Sequence, residues 1–140
     1  MNPAEGIKDL LVAAGVGTFG ASSGWSIFID AEPATPNTTV TIYNTGGRPP
    51  DPLYRLDYPS AQIRVRGAAN GYAEARSKIE ACKDALLGLP SQVVNGDQWD
   101  GILPITDIIS LGRDEKNRPL MVFNVSMIIE PAAGTNRISL

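Results

Sequence analysis

Residues 60–88 read SAQIRVRGAANGYAEARSKIEACKDALLG, and this stretch decides the fold. Apolar and charged residues alternate in its first part: Ile63, Arg64, Val65 and Arg66. This period of two predicts a strand with one apolar and one charged face. Apolar residues then recur every three or four positions: Tyr72, Ala75, Ile79, Cys82 and Leu86. That spacing predicts an amphipathic helix that ends near Leu87 and packs on the apolar side of a sheet.

The same patterns indicate further elements on both sides of this stretch. They comprise a helix before Gly15, strands at 25–31, 38–45, 102–112 and 118–131, and a short strand at 91–94. We expect strands 25–31 and 38–45 to form an antiparallel pair joined by a proline-rich turn. The order α-β-β-β-α-(β)-β-β predicts an α+β fold, a two-layer sandwich in which a mostly antiparallel sheet carries two helices on one face.

The chain of 140 residues has the size of one domain, which we expect to span residues 1–140. Within it, residues 46–59 read GGRPPDPLYRLDYP and contain four prolines and two glycines. This composition predicts a long extended loop, which in a compact domain is usually functional or mobile. Residues 132–140 are expected to form a short C-terminal tail. Because the sequence has no run of eighteen apolar residues, it predicts no membrane span.

The residue types that most enzymes use are scarce. The chain has no histidine, which removes the usual general base and the commonest zinc ligand. Its single cysteine, Cys82, lies on the apolar stripe of the helix and is expected to be a buried thiol. Asp107, Asp114 and Glu115 match the carboxylates of a two-metal nuclease only loosely, and a solvated loop and hairpin tip explain them better. We therefore predict no catalytic residue, no cofactor and no metal site.

Arginines beside aromatic residues raise the alternative of nucleic-acid binding. The residues concerned are Arg48, Tyr54, Arg55, Tyr58, Arg64 and Arg66. Such a set can grip a nucleic-acid backbone and its bases. However, Asp51 and Asp57 offset its positive charge, and the whole chain carries a net charge of −3. Paired arginines on a strand face more often serve as ion-pair partners within the same sheet or with a neighbouring chain.

The second face of the last two strands is partly apolar. Its apolar residues are Ile102, Ile108, Leu120, Val122 and Ile128. One helix-covered face is enough for a two-layer domain, so apolar residues on the other face need burial elsewhere. Contact with further copies of the chain would supply that burial. The alternative is that the long loop 46–59 folds over this face.

Three segments carry a resemblance to a known family. They are VTIYNTGG (40–47), AQIRVRG (61–67) with the helix that follows it, and LGRDEKNRPLMVFNVSMIIEP (111–131). In this order, over residues 4–131, the sequence resembles the tail terminator and tail-completion proteins of long-tailed bacteriophages. Some of these proteins are described as minor capsid or minor tail proteins.

The resemblance implies a structural role without catalysis. Such proteins form a ring, typically a hexamer, that caps the head-proximal end of the tail tube and stops its polymerisation. The implied partners are other copies of the chain, the tail tube protein and a neck or head-completion protein, with genomic DNA passing through the lumen without specific binding. The implied location is the virion tail or neck, after assembly in the host cytoplasm, with no membrane contact.

For such a ring, the sequence predicts interface residues. Arg64 and Arg66 would meet carboxylates of an adjacent subunit, and the candidates are Asp107, Asp114 and Glu115. Further candidate interface residues are Arg48, Tyr54, Arg55 and Arg113. Two alternatives stay open. One is a head-completion or head–tail connector subunit of the neck, and the other is a nucleic-acid-binding or metal-dependent nuclease module that uses Arg64, Arg66 and Asp107.

Overall fold

The structure, a computed structural model, describes residues 1–132 and Arg137. Within these residues the chain forms two helices and eight strands. Their order is α1 (Pro3–Ala13), β1 (Thr18–Phe19), β2 (Ser26–Ile29), β3 (Thr39–Asp51), β4 (Leu56–Arg66), α2 (Tyr72–Leu87), β5 (Gln92–Val94), β6 (Asp97–Pro104), β7 (Ile109–Arg113) and β8 (Pro119–Glu130). The predicted α+β class and both predicted helices are confirmed. The predicted strand order is incomplete, because it lacks the short β1 and merges β6 with β7.

Strand β8 organises the core. Its alternate side chains are buried, as the sequence pattern predicts: Met121, Phe123, Val125, Met127 and Ile129. The apolar stripes of the two helices join them in one cluster, through Ile7 and Leu11 of α1 and Ile79 and Leu86 of α2. Both helices therefore cover one face of the sheet, called here the inner face. The opposite side is the outer face.

The sheet is mixed and curled, so the prediction of a mostly antiparallel two-layer sandwich is wrong. The strand order is β1-β2-β3-β4-β8-β6-β5, with β7 paired to β8 as well. β1 and β3 both run parallel to β2, whereas the remaining pairs are antiparallel. Irregular register in β3, β6 and β7 bends the strands, since bulges increase local twist.

The antiparallel pairing expected for strands 25–31 and 38–45 is also wrong. β2 and β3 run parallel, with Ser26 opposite Thr39. A parallel pair needs a connection that returns to the starting end of the sheet. Residues 30–38 make this connection across the outer face and are called here the crossover. A proline-rich segment of this kind can form either the tight turn of an antiparallel pair or the extended crossover of a parallel pair. The sequence pattern alone does not distinguish these two connections.

The segment predicted as a long loop, residues 46–59, is instead a β-hairpin, called here the arm. β3 continues to Asp51 and β4 begins at Leu56, so only residues 52–55 form the turn. Pro49 and Pro50 are tolerated because this part of β3 is an edge strand, where a missing N–H breaks no ladder bond. The proline-rich composition predicted irregular structure here. At the edge of a sheet, however, proline does not prevent a strand from forming.

Residues 102–112, predicted as one strand, are divided between β6 and β7, and both pair with β8. The chain turns between them because Thr106 Oγ1 accepts hydrogen bonds from the backbone N and the side-chain amide of Asn124. The predicted tail, residues 132–140, lies outside the described residues except for Ala132 and Arg137. Neither helix of the described part is long and apolar enough to cross a membrane.

Candidate functional site

The outer-face arginines of β4 face the crossover of their own chain. Glu32 accepts a hydrogen bond from Arg64 Nε at 3.0 Å and one from Arg66 Nη1 at 3.2 Å. Arg66 also donates to three backbone carbonyls of the crossover, those of Pro33, Pro36 and Asn37, at 2.6–3.1 Å. Arg66 as a whole is only 2% exposed to solvent. Arg66 is therefore enclosed by its own chain, whereas the predicted contact of the pair with an adjacent subunit stays a prediction.

Arg118 holds the crossover from a second position. It donates to the carbonyl of Ala34 at 2.8 Å and to Asn37 Oδ1 at 3.2 Å, and its Nε lies 2.7 Å from Asp114 Oδ2. Burial works to raise the pKa of Asp114, but hydrogen bonds from Arg118 and the Lys116 backbone outweigh it and lower that pKa. Asp114, predicted to meet a neighbouring subunit, thus belongs to an intrachain ion pair.

The crossover covers apolar residues of the outer face that the sequence left without a partner. Leu120 and Val122 are 9% and 3% exposed, and they lie opposite Arg66 and Arg64 in the β4–β8 register. The sequence left open that the loop 46–59 covers this face, but the segment that lies against it here is the crossover 30–38. Part of the need for a second copy is therefore met within one chain.

The arm carries three of the predicted interface residues, namely Arg48, Tyr54 and Arg55. Its turn is fixed because Asp51 Oδ1 accepts hydrogen bonds from the backbone N–H groups of Leu53 and Tyr54, at 2.9 and 3.3 Å. The Arg48 guanidinium lies 4.1 Å from the centre of the Tyr58 ring, a cation–π contact. Arg137 adds two further contacts to the arm: its carbonyl accepts a hydrogen bond from Arg55 Nη1 at 3.3 Å, and its guanidinium pairs with Asp57.

The remaining predicted residues lie away from the arm. Asp107 pairs with Lys83 of α2 at 2.8 Å, and this contact lowers the pKa of the carboxyl and raises that of the amine. Arg113 donates to the side-chain oxygens of Asn70 and Asn117, and Glu115 is exposed in the turn after β7. The structure therefore does not bring Arg64 and Arg66 together with Asp107.

Sequence reasoning missed three residues that determine these surfaces. Glu32 is the partner of Arg64 and Arg66. Arg118 binds the crossover, and Lys83 pairs with Asp107. They are separated from their partners by 24 to 84 positions. The available signal was chemical: two arginines on one strand face require acceptors, and the segment that contains Glu32 supplies a carboxylate and backbone carbonyls.

Little in the described residues resembles a reactive site. No group of three or more potential metal-binding side chains occurs within residues 1–132. Cys82 is buried, as predicted, and burial raises the pKa of its thiol to about 12. A thiol with this pKa stays protonated at neutral pH and is a poor nucleophile.

Exposed apolar side chains concentrate near the edge formed by β6 and β7. They are Leu103, Ile105, Ile109 and Leu111, which are 43–55% exposed. Among the described residues β7 pairs with β8 alone, so its other side is an edge of the sheet. An apolar edge strand without proline or lysine is a surface suited to another polypeptide.

Comparison with known proteins matches the chain to a family and to solved structures of similar fold. Residues 10–131 match the model of a family described as "Bacteriophage tail terminator protein". A chain from a structure titled "Virion of native gene transfer agent (GTA) particle" is 19% identical, with a TM-score of 0.67. The match covers 89% of this chain and 92% of that chain. A comparison with curated proteins gave no match.

Proposed function

The chain belongs to the bacteriophage tail terminator family and is thus a structural protein of the virion tail or neck, and from this premise we propose that its copies form a ring that caps the head-proximal end of the tail tube. In this role it ends polymerisation of the tube and offers the surface to which the neck attaches. The partners are the tail tube protein on one side and a neck or head-completion protein on the other.

The family match over residues 10–131 carries this proposal, because it includes both edges of the sheet, the arm and α2. The fold supports it through two features that a monomer leaves open, the edge of β7 and the arm. These features lie on different parts of the surface, so contact between them is heterologous, the type of contact that forms a ring when its rotation closes. We propose six copies, the number typical of such rings.

We propose that the protein has no enzymatic activity. The residues that a nuclease would need are engaged elsewhere: Arg64 and Arg66 pair with Glu32, and Asp107 pairs with Lys83. The family itself is a structural one. The nucleic-acid-binding alternative also weakens, because Arg66 is buried and Arg55 is followed closely by Asp57 on the same arm.

Genomic DNA is proposed to pass through the lumen of the ring without specific binding. The chain carries a net charge of −3, so a ring of several copies repels phosphates on average and lets DNA slide.

The test is removal of the protein from its phage. We expect tubes of uncontrolled length and filled heads that lack tails, because nothing then ends the tube or joins it to the neck. Tails of normal length together with heads that lose their DNA would contradict the proposal and favour a head-completion subunit. A map of the mature particle would provide the second test, since a terminator contacts the last ring of the tube and a head-completion protein contacts the portal region.

A further inference from the structure

The tip of the arm presents an aromatic side chain to solvent. Tyr54 is 70% exposed, more than any other large apolar side chain of the described residues. Its backbone is fixed by Asp51, which accepts hydrogen bonds from the N–H groups of Leu53 and Tyr54. An aromatic side chain on an ordered turn binds at low entropic cost, and tyrosine is among the residues that contribute most to protein interfaces.

A cleft of about 390 Å³ lies between the end of α2 and the turn that joins β6 to β7. Leu87, Pro104, Ile105 and Phe123 line it, and the Lys83–Asp107 ion pair forms its polar part. It has room for an aromatic side chain, with apolar walls for the ring and charged groups for a polar end.

The cleft is held open by hydrogen bonds within the chain. The backbone N–H groups of Ile105 and Thr106 donate to the carbonyl of Asn124 at 2.9 and 3.3 Å, and Thr106 Oγ1 accepts from the Asn124 amide. Asn124 belongs to β8, at the centre of the sheet. Because the turn is tied to the core, the cleft exists before anything binds it.

The arm of one chain cannot enter the cleft of the same chain. Asp57, near the base of the arm turn, lies opposite Ile129 of β8, whereas Phe123 of the cleft lies six residues away on that strand, about 20 Å. The arm also extends from the β3–β4 side of β8, and the cleft lies on the β6–β7 side. The two surfaces can meet only between different copies.

Each surface keeps an exposed charged group beside a contact that it already makes. Arg55 follows Tyr54 directly and is exposed, with its Nη1 donating to the Arg137 carbonyl at 3.3 Å. At the cleft, Asp107 Oδ1 is bound by Lys83, and the Asp107 side chain is still 74% exposed. The last turn of α2 ends at the cleft and contains no basic residue. A guanidinium placed here would face the exposed side of this carboxylate and the negative end of a helix dipole, next to the Lys83 ammonium.

We propose that Tyr54 of one copy inserts into the cleft beside Ile105 of the next copy, with Arg55 facing Asp107. This inference rests on the proposed ring and names the contact that joins its subunits. The arm thus joins adjacent subunits within the ring, rather than reaching for the tube.

Cross-linking in phage particles tests the contact. Tyr54→Cys and Ile105→Cys are introduced into the same chain, and particles are treated with a short bis-maleimide. We expect a ladder of covalent multimers of the 14.9 kDa chain on a denaturing gel. Each single variant should give only the monomer, because Cys82 is buried. The matched control combines Tyr54→Cys with Val93→Cys, a residue 65% exposed on β5, and should also give the monomer.

The outcomes separate this inference from the proposed ring. Particles that contain the double variant but yield only monomer would overturn the contact and leave the ring intact. A cross-link to a different virion protein would also overturn it, since the arm would then serve the tube or the neck. Absence of the unaltered protein from tailed particles would instead overturn the proposed function.

A charge exchange provides a second measurement should the cysteine pair prevent assembly. Arg55→Asp is expected to lower the yield of infectious particles about tenfold or more, the factor equivalent to one lost charge-assisted contact. Adding Asp107→Arg should restore part of that yield. Arg48→Asp combined with Asp107→Arg is the control and should show no restoration. Equal yields for the two combinations would overturn the proposal.

Discussion

Replacement of Arg66 by methionine should destabilise the protein far more than the same change at Arg64. Both arginines lie on the outer face of β4, and both donate to Glu32 at nearly equal distances, 3.2 and 3.0 Å. They differ in burial, because the Arg66 side chain is 3% exposed and the Arg64 side chain is 29% exposed. The two variants therefore compare a buried guanidinium that also binds backbone carbonyls with a partly exposed one that shares the same carboxylate.

The magnitude follows from what each change leaves behind. Arg66→Met removes the buried group that donates hydrogen bonds to three backbone carbonyls and leaves the half-buried Glu32 less well paired, a loss of about 3–5 kcal/mol. Arg64→Met removes a single partly exposed contact, for which about 1 kcal/mol or less is expected. Since domains of this size are stable by about 5–15 kcal/mol, the Arg66 variant should still fold while unfolding at much lower denaturant.

Urea denaturation of the purified variants measures the free energy of unfolding that each substitution removes. The comparison is valid if the slope of that free energy against urea concentration is the same for both variants. In a Glu32→Gln background, the loss caused by Arg66→Met should shrink and still exceed that of Arg64→Met, because the carbonyls of the crossover lose their donor regardless. Equal free energies of unfolding for Arg64→Met and Arg66→Met would refute the account of the crossover as a segment clamped by a buried guanidinium.

Three further predictions concern the core and the turn after β7. Cys82, with the pKa of its thiol raised to about 12, should react with a thiol reagent at pH 8 only as fast as the protein unfolds, and rapid labelling of the folded chain would count against its burial. Gly6→Ala should lower the melting temperature although alanine favours helices. The new Cβ would lie 2.4 Å from a ring carbon of Trp99, and overpacking of this kind costs about 1–3 kcal/mol. A higher melting temperature would contradict this expectation. Asp114→Asn should reduce stability at neutral pH and flatten its dependence on acid pH, because the lowered pKa of Asp114 contributes stability above pH 3.8 that is lost as the pH falls through the folded-state value; parallel pH profiles in urea denaturation would disprove this role.

The sequence predicted the elements whose periodicity is set by the core. The alternation in β8 and the stripe of α2 follow directly from the inner face that they bury, so their positions were readable without knowing any partner. The direction of β2 against β3 was not readable, because it depends on how residues 30–38 return. That return is fixed by Arg66 and Arg118, which lie far away in sequence.

The arm illustrates a different limit. Four prolines within 46–59 predicted irregular structure, yet proline disrupts a sheet only where its missing N–H faces a neighbouring strand. Within the described part of the chain, this segment of β3 pairs with β4 and with no second strand. The prolines are therefore compatible with a strand and also prevent another strand from joining there. Whether these prolines disrupt a strand depends on whether the segment lies at an edge, and this position is a property of the whole sheet that composition does not show.

This difference between the two edges bears on how copies of the chain can meet. Pro49 and Pro50 block strand addition along the arm, whereas β7 contains no proline and pairs with β8 alone among the residues that the structure describes. An arm with a blocked edge can still bind through the side chains of its tip, and the exposed Tyr54 is of that kind. A charged residue on a strand face, in contrast, gives no information about assembly until its intrachain partners are known. Arg66 lies on such a face and is enclosed, so the search for subunit contacts should begin at the tip of the arm and not at the arginine strand.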